Sequence, residues 1–213
     1  MQSTRRDSVF SVELIGDSTL QLNKSKGTTG FDAEFQQSLQ QFLKSYLPNH
    51  VGVQGRVNRH PGATGRTLLQ LLQKTDACGV DCVGLVWMLT DLCEPCSPDA
   101  LAVASSLASR LALSMQRFSH KFAVIGGSSE LWGVGESFDE GATEIRCIFE
   151  SYGIPTVDGV DLYLNSGLTY KKGEWHIKTD STGHNKAIMG SYYAGLVKKV
   201  VQSKHAQHIL FER

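Results

Sequence analysis

No stretch of this chain is both apolar and uncharged over the ~20 residues that a bilayer-spanning helix needs. Its opening, "MQSTRRDSVFSVELIG", carries two arginines, but the apolar part is short, is broken by Ser11 and Glu13, and lacks a small-residue cleavage site. No export signal is read there. Net charge is missing as well, since 21 Lys and Arg offset 21 Asp and Glu. A chain without a bulk field offers little to nucleic acid or anionic lipid. The expectation is a cytoplasmic protein with a small-molecule partner, no nucleic acid and no membrane. Linkers, internal repeats and low-complexity tracts are also lacking, so the 213 residues read as one domain over 1–213. A composition of 41% hydrophobic and 20% charged residues gives that domain an ordinary core.

Cysteine is sparse and odd in number, five in all, which argues against a fully paired disulfide framework and for a reducing compartment. Cys78 and Cys82 are four apart, Cys93 and Cys96 form a C-x-x-C, and Cys147 stands alone. A zinc site needs four ligands in one tetrahedron. The intervening "VGLVWML" reads as a buried strand that holds Cys82 away from Cys93. Ordinary reduced cysteines are therefore preferred to structural zinc or a redox-active Cys93/Cys96 pair, and no metal is expected.

What the chain does have is alternation of strand and helix. "FSVELI" is rich in β-formers. "FDAEFQQSLQQFLKSYL" repeats Phe31, Phe35, Leu39, Phe42, Leu43 and Tyr46 at helical steps. "VGVQGRV" then reads as a strand and "GRTLLQLLQKT" as a helix. The nearly continuous apolar run "DCVGLVWML" is what a central strand covered on both faces requires, with Trp87 in the core. The next helix opens with Ser97 as N-cap, Pro98 in first position and Asp99 in the first turn. "KFAVIGG" is a strand, "FDEGATEIRCIFESYG" a helix closing on Gly153 in a left-handed cap, "PTVDGVDLYL" a last strand and "NKAIMGSYYAGLVKKVV" a closing helix. Such βαβ units imply a mostly parallel sheet with helices on both faces. Ligands of these folds bind where the strands end, so the loops after Ile15, Val57 and Leu89 matter most.

Three segments carry residues suited to chemistry. In "VELIGDSTL" a serine follows a strand directly, where its hydroxyl faces a crevice and a nearby imidazole can take its proton; Asp17 and Ser18 equally suit a turn or a helix cap. In "HPGATGRTLLQLL", Gly62 and Gly65 precede a helix whose amides point into the same crevice and suit an oxyanion; a phosphate nest or a plain turn uses the same residues. No Gly-Lys-Ser/Thr follows at Walker spacing. In "TDSTGHNKAIMG", Asp180 and His184 stand before the last helix, a carboxylate able to orient an imidazole that serves as base; surface or capping duty also fits His184.

Taken in order, these segments resemble the SGNH or GDSL hydrolase family, with its Gly-Asp-Ser after the first strand, glycine loop after the second, Gly-x-Asn-Asp after the third and Asp-x-x-His before the final helix. The resemblance spans about residues 10 to 200. It implies a three-layer α/β/α sandwich of flavodoxin-like topology and cleavage of a carboxylic ester, with a short acyl or acetyl group, without a cofactor. By position, Ser18 resembles the nucleophile, His184 the general base and Asp180 its orienting acid. The N–H groups of Ser18 and Gly65, with Thr90, correspond to the oxyanion hole. Asp17 corresponds to the motif aspartate that shapes the loop, and is grouped with Arg66, Asp91 and Trp132 as a substrate-side candidate. Trp132 would wall the crevice and Arg66 would meet a polar or anionic group.

The sequence departs from the family twice. "MLTDL" has Thr90 where an asparagine would donate, and a threonine hydroxyl is a shorter donor. Asp180 and His184 are separated by three residues instead of two, which Gly183 would absorb. His176 ranks second as base because it precedes the aspartate, and Asp161 in "DGVDLYLNSG" does not replace an imidazole. These departures motivate the competing expectation of a ligand-binding or scaffold module that keeps the fold and has lost turnover.

Overall fold

A computed structural model describes residues 8–17, 20, 29–89, 92, 98–127, 129, 135, 137–160 and 184–211, with backbone alone at 29, 98, 184–186 and 204–211. Five strands and five long helices alternate: β1 Val9–Gly16, α1 Thr29–Leu43, β2 Gly52–Arg59, α2 Gly65–Lys74, β3 Cys82–Trp87, α3 Pro98–Met115, β4 His120–Ile125, α4 Ser137–Ser151, β5 Thr156–Asp158 and α5 His184–Phe211. The strands form one sheet in the order β2-β1-β3-β4-β5, and every neighbouring pair is parallel. This is the doubly wound order in which the chain reverses direction across the sheet beside β1.

Helices α1 and α5 pack together over one face, while α2, α3 and α4 cover the other. The result is the three-layer α/β/α sandwich that the sequence implies. β3 lies in the middle with all of its residues buried, because both faces of this strand meet a helix layer. In α1 the predicted stripe is the inner face: Phe31, Phe35, Leu39 and Leu43 are buried, and Phe42 and Tyr46 lie partly buried against the core. The helix stops at Leu43 rather than Leu47: the Tyr46 N–H bonds the Leu43 carbonyl only three residues back at 2.9 Å, which tightens the chain out of the α-helical pattern.

At the lateral edge of the sheet, Gln36 on α1 donates to the Val53 carbonyl at 2.8 Å and accepts from the Gly55 N–H at 2.7 Å. Gly153 ends α4 at φ 69, as its left-handed cap requires. The last strand is much shorter than "PTVDGVDLYL" suggests. Asp158 turns its carboxylate onto the Val160 N–H at 2.9 Å, an Asx turn that takes the backbone out of the ladder. Residues 161–183 lie outside the described ones. α5 runs past Val201 to Phe211, through a polar stretch with no apolar period to reveal it. No helix among the described residues is long and apolar enough to cross a membrane.

Candidate active site

Parallel register brings the strand ends to one rim. Gly16 pairs with both Arg59 and Val86, Trp87 with Ile125, and Ile125 with Asp158. The loops after β1, β2 and β3 therefore leave the sheet side by side.

Gly16 lets the first loop leave. A Cβ there would lie 2.6 Å from Leu20 Cδ1 and 2.8 Å from Val86 Cβ, so any other residue would push the turn off β3. Asp17 comes next and is fully buried. Its N–H reaches the Val86 carbonyl at 3.4 Å, and its Oδ2 accepts from the Met88 N–H at 2.9 Å. A backbone donor just past the end of β3 is thereby satisfied, where an orphan would cost about 1–3 kcal/mol. The Asp17 carboxylate thus ties the end of β1 to the peptide that follows β3.

The glycine loop divides its work between two residues. His60 N–H bonds the Gly16 carbonyl at 2.9 Å, and the His60 carbonyl accepts from Ala63 N–H at 3.0 Å. Pro61 and Gly62, the latter at φ 69, are the central residues of this turn, which suits a type II geometry. Thr64 then caps α2, its side chain accepting from Thr67 N–H. Gly65 opens the helix with its Cα against an indole: a Cβ would come within 2.6 Å of Trp87 Cζ2. Trp87 is completely buried and is core, as expected. The first turn of α2, whose amides have no acceptor within the helix, is thus seated on the end of β3, next to the peptide held by Asp17.

Past Trp87 the chain turns sharply. Leu89 is fully buried and, at φ 53, is the non-glycine residue in left-handed conformation among the described ones. That conformation costs about 1–2 kcal/mol in an L-residue. Strain of this kind stands at the exit of β3, directly before Thr90 in sequence.

α5 packs on the start of α1, which is tied to the same rim. Arg59, at the end of β2, pairs with Asp32 in the first turn of α1, which fixes that end of α1 to the rim. Gly190 packs on the same turns, so closely that a Cβ would sit 2.5 Å from the Phe31 carbonyl oxygen and 2.8 Å from Phe35 N. His184 is six residues before Gly190, about 9 Å along the helix axis. The backbone of His184 therefore begins α5 roughly two turns before the point where the helix packs on α1.

Of the other sequence candidates, Ser18, Thr90, Asp91, Trp132 and Asp180 lie outside the described residues, as does the His184 side chain. Arg66 is exposed and lines a groove of about 570 Å³ between α2 and α3, with Gln70, Ser106 and Arg110. No group of three or more His, Cys, Asp or Glu suited to a metal occurs among the described residues. Cys82 is buried, and burial together with the charge of Asp81 pushes its thiol far above the ordinary range. Cys78 and Cys147 are exposed and free.

Arg59 and Leu89 were not found from sequence. Arg59 sits in "VNRHPG" without any local mark, since its partner is 27 residues away. Leu89 ends an apolar run that gives no sign of a left-handed residue.

No protein-family model matches the sequence, and no curated protein matches it. Solved structures do resemble it. The acetylxylan esterase Axe2 from Geobacillus stearothermophilus superposes with a TM-score of 0.59 over 89% of this chain and 93% of that one, at 14% identity. The lipase/acylhydrolase from Enterococcus faecalis gives 0.58 over 88% and 97%, at 12% identity. LAE5, an alpha/beta hydrolase enzyme from the metagenome of Lake Arreo, Spain, gives 0.57 over 87% and 94%, at 19% identity. The chain shares the fold of these esterases and lipases.

Proposed function

We propose that the chain is an SGNH/GDSL-type serine hydrolase that cleaves a short acyl ester, with Ser18 as nucleophile, His184 as general base and Asp180 as the carboxylate that orients it. Ser18 Oγ attacks the ester carbonyl carbon while its proton passes to His184. The oxyanion is held by the amides of Ser18 and Gly65 and by Thr90. Collapse breaks the bond to the alcohol, which leaves with the proton from His184. Water then attacks the acyl-serine by the same route, and the carboxylic acid is released.

What supports this reading is that Gly16-Asp17, the first turn of α2 and left-handed Leu89 lie at one rim of the sheet, with Ser18 and Thr90 next in sequence to Asp17 and Leu89. The fold likeness to an acetylxylan esterase supports an acetyl group on a sugar as the first substrate to try. The test is labelling with a fluorophosphonate probe, beside hydrolysis of p-nitrophenyl acetate and acetylated xylooligosaccharides. Wild type should label, and Ser18→Ala and His184→Ala should not. Ester turnover should fall by about a thousandfold or more in Ser18→Ala. Full activity in Ser18→Ala would end the proposal.

Thr90 favours a second reading, a binding module that holds an ester ligand without turnover. Loss of an oxyanion donor costs on the order of a hundredfold or more in rate. Folded wild type that binds an acetylated sugar and never labels would select this reading, and Thr90→Asn should then restore reactivity.

A further inference from the structure

The described residues on either side of Ser18 and Thr19 are held by different means. Before them, the backbone is tied to the sheet through His60 N–H on the Gly16 carbonyl and Asp17 N–H on the Val86 carbonyl. After them, Leu20 N–H returns to the Asp17 carbonyl at 3.2 Å, and the Leu20 carbonyl accepts from Arg59 Nε at 2.6 Å. This last tie comes from a side chain on another strand. Only Ser18 and Thr19 separate the two fixed points.

The rest of the Arg59 guanidinium is also occupied. Nη1 donates to Asp32 Oδ2 at 3.1 Å and Nη2 to Asp32 Oδ1, and the group lies over the Phe31 ring, 5.2 Å from its centre. One planar fork thus joins β2, α1 and the turn after β1, which the point charge of a lysine does not reproduce. Asp32 is 40% exposed, and ion pairs with that much water around them add little to stability. The geometry accounts for Arg59 better as a holder of the Leu20 carbonyl than as a staple between helix and sheet.

We infer that Arg59 is a positioning residue: by fixing Leu20 it restricts the conformations open to Ser18, with Asp32 and Phe31 setting the direction of the guanidinium. The inference rests on the proposed role of Ser18 as nucleophile. Misplacing a reacting group by about 1 Å can cost on the order of a hundredfold in rate, so loss of the tie should appear in reactivity.

Arg59→Ala, Arg59→Lys and Asp32→Asn would be compared with wild type by thermal melting and by fluorophosphonate inactivation, resolved into reagent affinity and maximal rate. In Arg59→Ala the maximal rate should fall by about ten- to a hundredfold with reagent affinity unchanged. Arg59→Lys should fall between it and wild type, and Asp32→Asn should lose only a few-fold. A plain staple would lower the melting temperature and leave the rate per folded molecule alone. Folded Arg59→Ala that reacts at the wild-type rate overturns the inference.

Amide hydrogen exchange over residues 16–21 tests the tie without any need for reactivity. Exchange there should accelerate by about tenfold or more in Arg59→Ala while β3 stays protected, and unchanged exchange also overturns the inference. If wild type does not label, the hydrolase reading fails, and exchange alone decides whether Arg59 holds the turn. Should Arg59→Ala not fold, Arg59→Lys is read in both assays against the same criteria.

Discussion

β1 and β3 are tied to each other twice, once at each rim of the sheet. Where the strands begin, Asp81 Oδ2 accepts from Ser11 N–H at 2.8 Å. Where they end, Asp17 Oδ2 accepts from Met88 N–H at 2.9 Å. The device is the same, an aspartate of one strand satisfying an amide of its neighbour. The surroundings differ: Asp81 is half-buried and its carbonyl passes the tie on to His120 of β4 at 2.9 Å, whereas Asp17 is fully buried and the chain beyond its partner leaves through left-handed Leu89. At the first rim the tie completes a regular ladder. At the second it fixes the peptide just past the end of β3 to the residue just past the end of β1.

Replacing the two aspartates should separate these roles. Asp17→Ala should destabilise the protein by about 2–3 kcal/mol, since it strands a buried amide, and should slow fluorophosphonate labelling; urea unfolding and labelling rates measure both. Equal losses for Asp17→Ala and Asp81→Ala would erase the distinction. Gly65→Ala should cost about 1–3 kcal/mol through overpacking against Trp87 and also reduce labelling. Its counterpart at the other rim, Gly52→Ala, has only Val9 Cγ2 nearby at 3.8 Å and should leave labelling unchanged. Asp81→Ala, which removes a carboxylate that is only half-buried, should cost about 1 kcal/mol and leave labelling intact.

The smallest effect concerns Cys82 at the first rim. Burial favours its neutral thiol in the folded state, so the unfolded chain ionises first as pH rises. The stability due to the protonated thiol is complete below the ordinary thiol range and is lost as pH climbs through and above it. At neutral pH a thiol reagent should modify Cys78 and Cys147 in folded protein and spare Cys82. Rapid modification of Cys82 would mean that this rim opens more readily than its regular ladder implies.

Local periodicity made most of the fold legible. The stripe from Phe31 to Leu43 and the unbroken run through Val83 and Trp87 each state which face is covered, and Gly153 marks its own helix end. β5 was not legible past Asp158, because an Asx turn competes with the ladder and its residues suit either. The rim where the strands end was legible where short motifs coincide with it, as at Gly16-Asp17 and Gly65. Arg59 was not, since a fork that joins three elements leaves no spacing to read. Leu89 was not, because its backbone is set by the packing around it and not by its own preference.

Gln36 bears on a different matter, how the protein keeps company with itself. An exposed lateral strand is a template for another chain, and proteins commonly block it with charge, proline or a covering element. Here one carboxamide occupies an outward carbonyl and an outward amide of β2, much as a neighbouring strand would. A second molecule extending the sheet there would first have to displace a helix side chain from two hydrogen bonds, and on the far side it would find in β5 a strand of three residues. Among the described residues the sheet is thus poorly suited to growth by addition in either direction, which favours colloidal stability when the protein is concentrated.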